Sequence, residues 1–188
     1  MNEGTSLYAK QIVRKSCQVK KGELVVVSLL GLDGIQLLCD IQREIKDIGA
    51  DCILQINDTE VFKNWIINSS LQTMTIEAKR QAEIIEKADV YIGLNAQENS
   101  MELGDIPSEK MFSFVAAQKV VMAARDTKRS LSCMVPTASM AQANQMSTDA
   151  FQKYFYDAVT YDFDLQRKGL EFLKKIMEET RKVHIVAP

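Results

Sequence analysis

Apolar runs and helical stripes alternate along this chain. Leu24 to Leu29 (LVVVSL) is β-branched and apolar on both faces, the pattern of a central parallel strand covered on both sides. Asp51 to Ile56, Val90 to Leu94 and Leu131 to Val135 read as further strands. Between them, apolar residues recur at spacings of three and four. Leu38, Ile41, Ile45 and Ile48 mark the buried face of a helix from Gly34 to Ile48, and Met74, Ala78, Ala82 and Ile85 that of a helix from Leu71 to Lys87. Phe112, Val115, Ala116 and Val120 predict the inner face of a helix from Ser108 to Asp126. A first helix, Ser6 to Gln18, carries Ala9, Ile12, Val13, Ser16 and Cys17 on one stripe. Two helices follow the last of these strands. One starts at Thr148 and is expected to bury Phe151, Tyr154, Phe155 and Ala158; the other runs from Asp164 to Lys182 and is expected to bury Leu165, Leu173, Ile176 and Met177. Val183 to Val186 reads as the start of a fifth strand.

Turn and cap residues sit where this pattern needs them. Gly22 supplies a turn before the first strand and Gly49 stops a helix. Asp33, in the loop Gly31-Leu32-Asp33-Gly34, is placed to cap the helix that follows. Asn57-Asp58-Thr59 precedes a short helix, Glu60 to Ile67, and Ser108 opens the long one. Pro136 cannot donate to a strand ladder and ends the fourth strand, with Thr137 or Ser139 capping a short helical piece, Thr137 to Gln145. Strand–helix–strand alternation implies crossovers and a parallel sheet. The expected fold is a three-layer α/β domain spanning residues 1–188, with a mainly parallel sheet of four to five strands and helices on both faces.

Composition narrows the classes. Of 188 residues, 46% are hydrophobic and 26% charged, with a net charge of −2 and no basic block, which argues against a nucleic-acid partner. No apolar run approaches membrane-spanning length, and MNEGTSLYAK lacks the pattern of a signal peptide. Cys17, Cys39, Cys52 and Cys133 show no CxxC spacing and read as free thiols in a reducing, cytoplasmic setting.

Candidate chemistry is sparse. The one histidine, His184, has no HExxH or nucleophile-elbow context, so no catalytic residue and no metal ligand is assigned. In open parallel sheets ligands gather beyond the carboxyl ends of the strands. That edge places Asp33, Asn95, Glu98, Pro136 and Thr137 where a ligand or a second domain would dock. The loop Asn95 to Pro107 adds Glu102 and Asp105 and is long for a connection. Gly31 to Gly34, between a strand and a helix, is the best anion-site candidate, although it lacks both GxGxxG and GxxxxGK[ST].

The stretch LSCMVPTASMAQANQMS carries a resemblance. A strand ending in Pro136-Thr137, a small-residue helix, then Met146-Ser147 and an acidic-aromatic helix with Asp149, Phe151, Tyr154 and Phe155 is similar to the middle of the thermophilic metalloaminopeptidases, the aminopeptidase T, aminopeptidase S and PepS group. The resemblance implies a two-metal exopeptidase that removes N-terminal residues from peptides, with zinc, cobalt or similar ions held by a C-terminal catalytic domain, and a homodimer. It implies no cofactor in this chain, which would be the non-catalytic N-terminal domain and inactive alone; the closing segment HIVAP would lead into the missing partner domain. The alternative is a free-standing binding module of flavodoxin-like architecture, for a small ligand or protein partner.

Overall fold

The computed structural model describes residues 3–160 and 162–186. Four strands, β1 (Leu24–Leu30), β2 (Asp51–Asn57), β3 (Val90–Asn95) and β4 (Arg129–Met134), form a parallel sheet in the order β2-β1-β3-β4. Eight α-helices among the described residues surround it: α1 (Glu3–Lys10), α2 (Ile35–Ile48), α3 (Thr59–Asn68), α4 (Leu71–Glu86), α5 (Ser108–Asp126), α6 (Ala138–Ala143), α7 (Thr148–Val159) and α8 (Phe163–Glu179). No helix among the described residues is long and apolar enough to cross a membrane.

Side-chain alternation along the strands splits the core in two. Val25, Val27, Leu29, Ile92 and Leu94 face α1, α2 and α7; Val26 and Tyr91 face α3, α4 and α5. Burying β1 on both faces explains its apolar run, interrupted only at Ser28. Each fully buried valine or isoleucine contributes roughly 1.5–3 kcal/mol, so the strand outweighs any one helix cap, worth about 1 kcal/mol. Those caps are nonetheless in place: Asp58 accepts from the Val61 N–H, Ser70 from Thr73, Thr137 from Met140 and Ser147 from Ala150. Gly49 closes α2 at φ 80°. Cys17 and Cys133 are buried, Cys39 and Cys52 half-buried, and all four are free thiols; burial pushes Cys17 up to about 12.

The first helix differs from a plain α-helix. Beyond α1, Gln11–Ser16 continues as a π-helical segment, with the Cys17 N–H on the Ile12 carbonyl at 2.9 Å. Arg129, at the start of β4, donates to the carbonyls of Cys17 and Gln18 and pairs with Glu23, so the end of this helix is tied to the edge strand.

Several expected positions move. Helix α5 has the expected bounds, but Phe112, Val115, Ala116 and Val120 are exposed, and the buried residues are Ala117, Val121 and Ala124. It packs against Ala78 and Ala82 of α4, where small side chains allow a close approach. In α7, Tyr154 and Ala158 are exposed, and Tyr156 takes the inner position beside Phe151. In α8, Leu165, Leu173, Ile176 and Met177 are exposed, and residues 183–186 form no strand. Ser108 is the first residue of α5 rather than its cap, and Asp33 does not cap α2, whose N-cap is Gly34.

Candidate functional site

The β1–β2 connection crosses the α2 face, and the connections leading to β3 and β4 cross the α4/α5 face. The directions therefore diverge between the carboxyl ends of β1 and β3, where open α/β sheets hold ligands. In this chain the crevice is filled from within. Gly31, at φ 90°, lies so close to Ala96 that a Cβ on it would fall 2.1 Å from the Ala96 carbonyl oxygen. A Cβ on Gly34 would fall 2.8 Å from the Ala96 Cβ. The Gly31 N–H donates to the Asn57 carbonyl at 2.9 Å, and the Ala96 N–H to Leu30 at 2.7 Å, which joins the three strand ends.

Above this contact sits Glu98. Its Oε1 accepts the Leu32 N–H, its Oε2 accepts the Thr59 hydroxyl at 2.9 Å, and the Asp33 N–H adds a further bond. Leu32–Gly34 is the 3₁₀ turn that opens α2, and such free amides are what a helix start offers to an anion. The chain's own carboxylate takes the place suggested by the Gly31–Gly34 loop for an external one. Burial alone would push Glu98 up; the hydrogen bonds from the backbone and Thr59 outweigh it and hold the carboxyl below its usual range. Nearby Asp33 is pushed up, first by its own burial and then by the charge of Glu98.

Asp33 and Glu98 are thus brought together, and the other edge residues are not. Asn95 ends β3, and its carbonyl accepts the Val135 N–H at 2.8 Å. Pro136 is buried and accepts from Gln152 Nε2 at 3.2 Å. Thr137 is buried as the cap of α6. The Ser100 N–H donates to Ser139 Oγ at 3.0 Å, joining the loop after β3 to the first turn of α6. The remaining loop acids are also committed: Lys63 Nζ stands 3.1 Å from Glu102 Oε1 and 2.7 Å from Asp105 Oδ1.

A groove of about 300 Å³, with Asn95 in its lining, lies on the α5 side of the sheet. Ser28, Gly93 and Ser132 stand side by side in register across β1, β3 and β4 and make its floor. The signal for it was present in the strands: LVVVSLL, VYIGLN and RSLSCM each place a small residue at the same rung.

The family model of the thermophilic metalloproteases, M29, matches residues 1–179. This chain belongs to that family. No curated protein matches it. Among solved structures, the M29 chain is similar to wild-type AmpT from Thermus thermophilus, at 12% identity and a TM-score of 0.65 over 84% of this chain. That match spans 42% of the AmpT chain, and at this identity it speaks for the fold.

A metalloprotease holds its metal with several converging carboxylates or histidines. Among the described residues of this M29 chain, no three His, Cys, Asp or Glu side chains converge in that way. Glu98 is spent on backbone amides, Glu102 and Asp105 on Lys63, and His184 lies exposed beyond α8. The described residues do not fit a metal centre.

Proposed function

We propose that this chain is the N-terminal, non-catalytic part of a metal-dependent aminopeptidase, acting on peptides together with a C-terminal half that carries the metals. The observation that carries this reading is the commitment of the strand-edge acids to internal partners, inside a chain whose family is defined by metalloproteases. The match over less than half of AmpT supports it. On this reading Asp33, Asn95, Glu98, Pro136 and Thr137 form an interdomain edge, and Glu98 stiffens that edge. The full-length protein would be a cytoplasmic homodimer using zinc, cobalt or a similar ion.

Hydrolysis of leucine p-nitroanilide tests the reading. The purified chain, supplied with Zn²⁺ or Co²⁺, should give no turnover and bind less than one ion per chain. Metal-dependent turnover by this chain alone would overturn it. Sequencing past the codon for Pro188 is the companion measurement; a frame running on into a Glu- and His-rich half is the expected result. One observation favours the alternative, a free-standing binding module: the groove beside β3 is open without any second domain.

A further inference from the structure

We infer that the groove beside β3 is a binding site for a small carboxylate with a short apolar body. Its polar end is built around Arg125. The guanidinium stacks over Tyr91 at 4.3 Å from the ring centroid and donates from Nη2 to Ser132 Oγ at 2.8 Å. Two independent contacts therefore hold the plane of the fork. Among the described residues Arg125 has no carboxylate partner, and no Asp or Glu lines the groove. A half-buried, oriented and unpaired arginine is suited to a planar anion, since its fork matches two carboxylate oxygens.

The floor has hydrogen-bonding capacity to spare. Ser28 and Asn95 line the groove, and among the described residues their side chains make no hydrogen bond to protein. Gly93 lets the Tyr91 ring and Ser132 hydroxyl close in on the floor: a Cβ there would lie 3.3 Å from the Tyr91 ring and 3.5 Å from Ser132 Oγ. Leu30 and Met134 supply apolar wall at the other end. The volume suits a ligand of benzoate size better than a bare ion, and a polar end opposite an apolar one sets its direction. The groove shares Asn95 with the strand-end edge but uses none of the Glu98 contacts, and it does not rest on the aminopeptidase reading.

Benzoate is the probe, followed by chemical shifts of ¹⁵N-labelled protein. Saturable shifts are expected at the Gly93 and Ser132 amides and at Arg125 Nε. Benzyl alcohol, the neutral analogue, and inorganic phosphate should bind at least about tenfold more weakly, because each lacks either the charge or the planar apolar body. Arg125→Gln should weaken benzoate by about tenfold or more, and Arg125→Lys should fall between the two, keeping charge without the fork. If Arg125→Gln does not fold, Ser28→Val carries the test by placing methyl groups where the floor hydroxyl stands, and should also weaken binding. The proposal fails if benzyl alcohol or phosphate binds as well as benzoate, if the folded variants bind unchanged, or if no shift saturates.

Discussion

Gly31 and Ala96 touch backbone to backbone, and the contact closes the place where this sheet would otherwise open to a ligand. Gly22 offers a control, since its φ of 82° matches the 90° of Gly31 yet its missing Cβ would meet nothing within 4 Å. Gly22→Ala should lose about 1 kcal/mol, the cost of a positive φ alone. Gly31→Ala should lose about 3 kcal/mol or more, because its ψ of 134° at φ 90° suits glycine almost alone and because backbone must also move. Urea denaturation of the two variants measures the difference; equal losses would show that the close approach carries no energy.

The Asp33–Glu98 pair predicts an unusual pH response. The folded state lowers the pKa of Glu98, so its stabilising part is present above the ordinary glutamate range and is lost as pH falls through the folded value. The folded state raises that of Asp33, so the ionised form opposes folding, and this penalty grows as pH rises through the ordinary aspartate range. Both side chains are largely exposed, so solvent screening keeps each contribution small. Asp33→Asn should stabilise the protein at pH 7 by a few tenths of a kcal/mol. Glu98→Gln should destabilise it at pH 7 by about 1 kcal/mol through lost hydrogen bonds, with the deficit shrinking below pH 4 or so. Thermal melts from pH 3 to 7 would contradict this if the Glu98→Gln deficit grew in acid.

Lys63 holds the loop after β3 to α3 through Glu102 and Asp105. The same contacts raise its own pKa and lower that of Asp105. Lys63→Gln should release the loop while leaving the sheet intact. Amide exchange should speed up across residues 99–105 and stay unchanged across β1. Exchange rising equally in both would mean that the ion pairs support the whole domain rather than the loop.

β1 and β3 were legible because burial on both faces leaves a run rich in apolar residues, as in Leu24–Leu30, and helices α2 and α4 because their stripes met a partner. Helix α5 was misread for a physical reason. It is apolar around much of its circumference, so bulk pointed to Phe112 and Val115, whereas packing against α4 selected Ala117, Val121 and Ala124. Periodicity in α8 described a stripe correctly without saying whether anything covers it. At the sheet edge, the acids were visible in the sequence, but their pairing was not: Glu98 reaches Leu32 across 66 residues, and Lys63 reaches Asp105 across 42. The groove was hidden differently. Ser28, Gly93 and Ser132 mean little until strand register sets them side by side.

Strand order also bears on how the protein can be made. β1 leaves the ribosome first, and β2 joins one of its edges; β3 takes the other edge, and β4 then adds to β3. Each arriving strand finds a free edge, and none has to push between two already joined. The sheet can therefore grow during translation, the N-terminal elements first. In a circular permutant in which β1 is translated last, β2 and β3 would both wait for the strand that separates them.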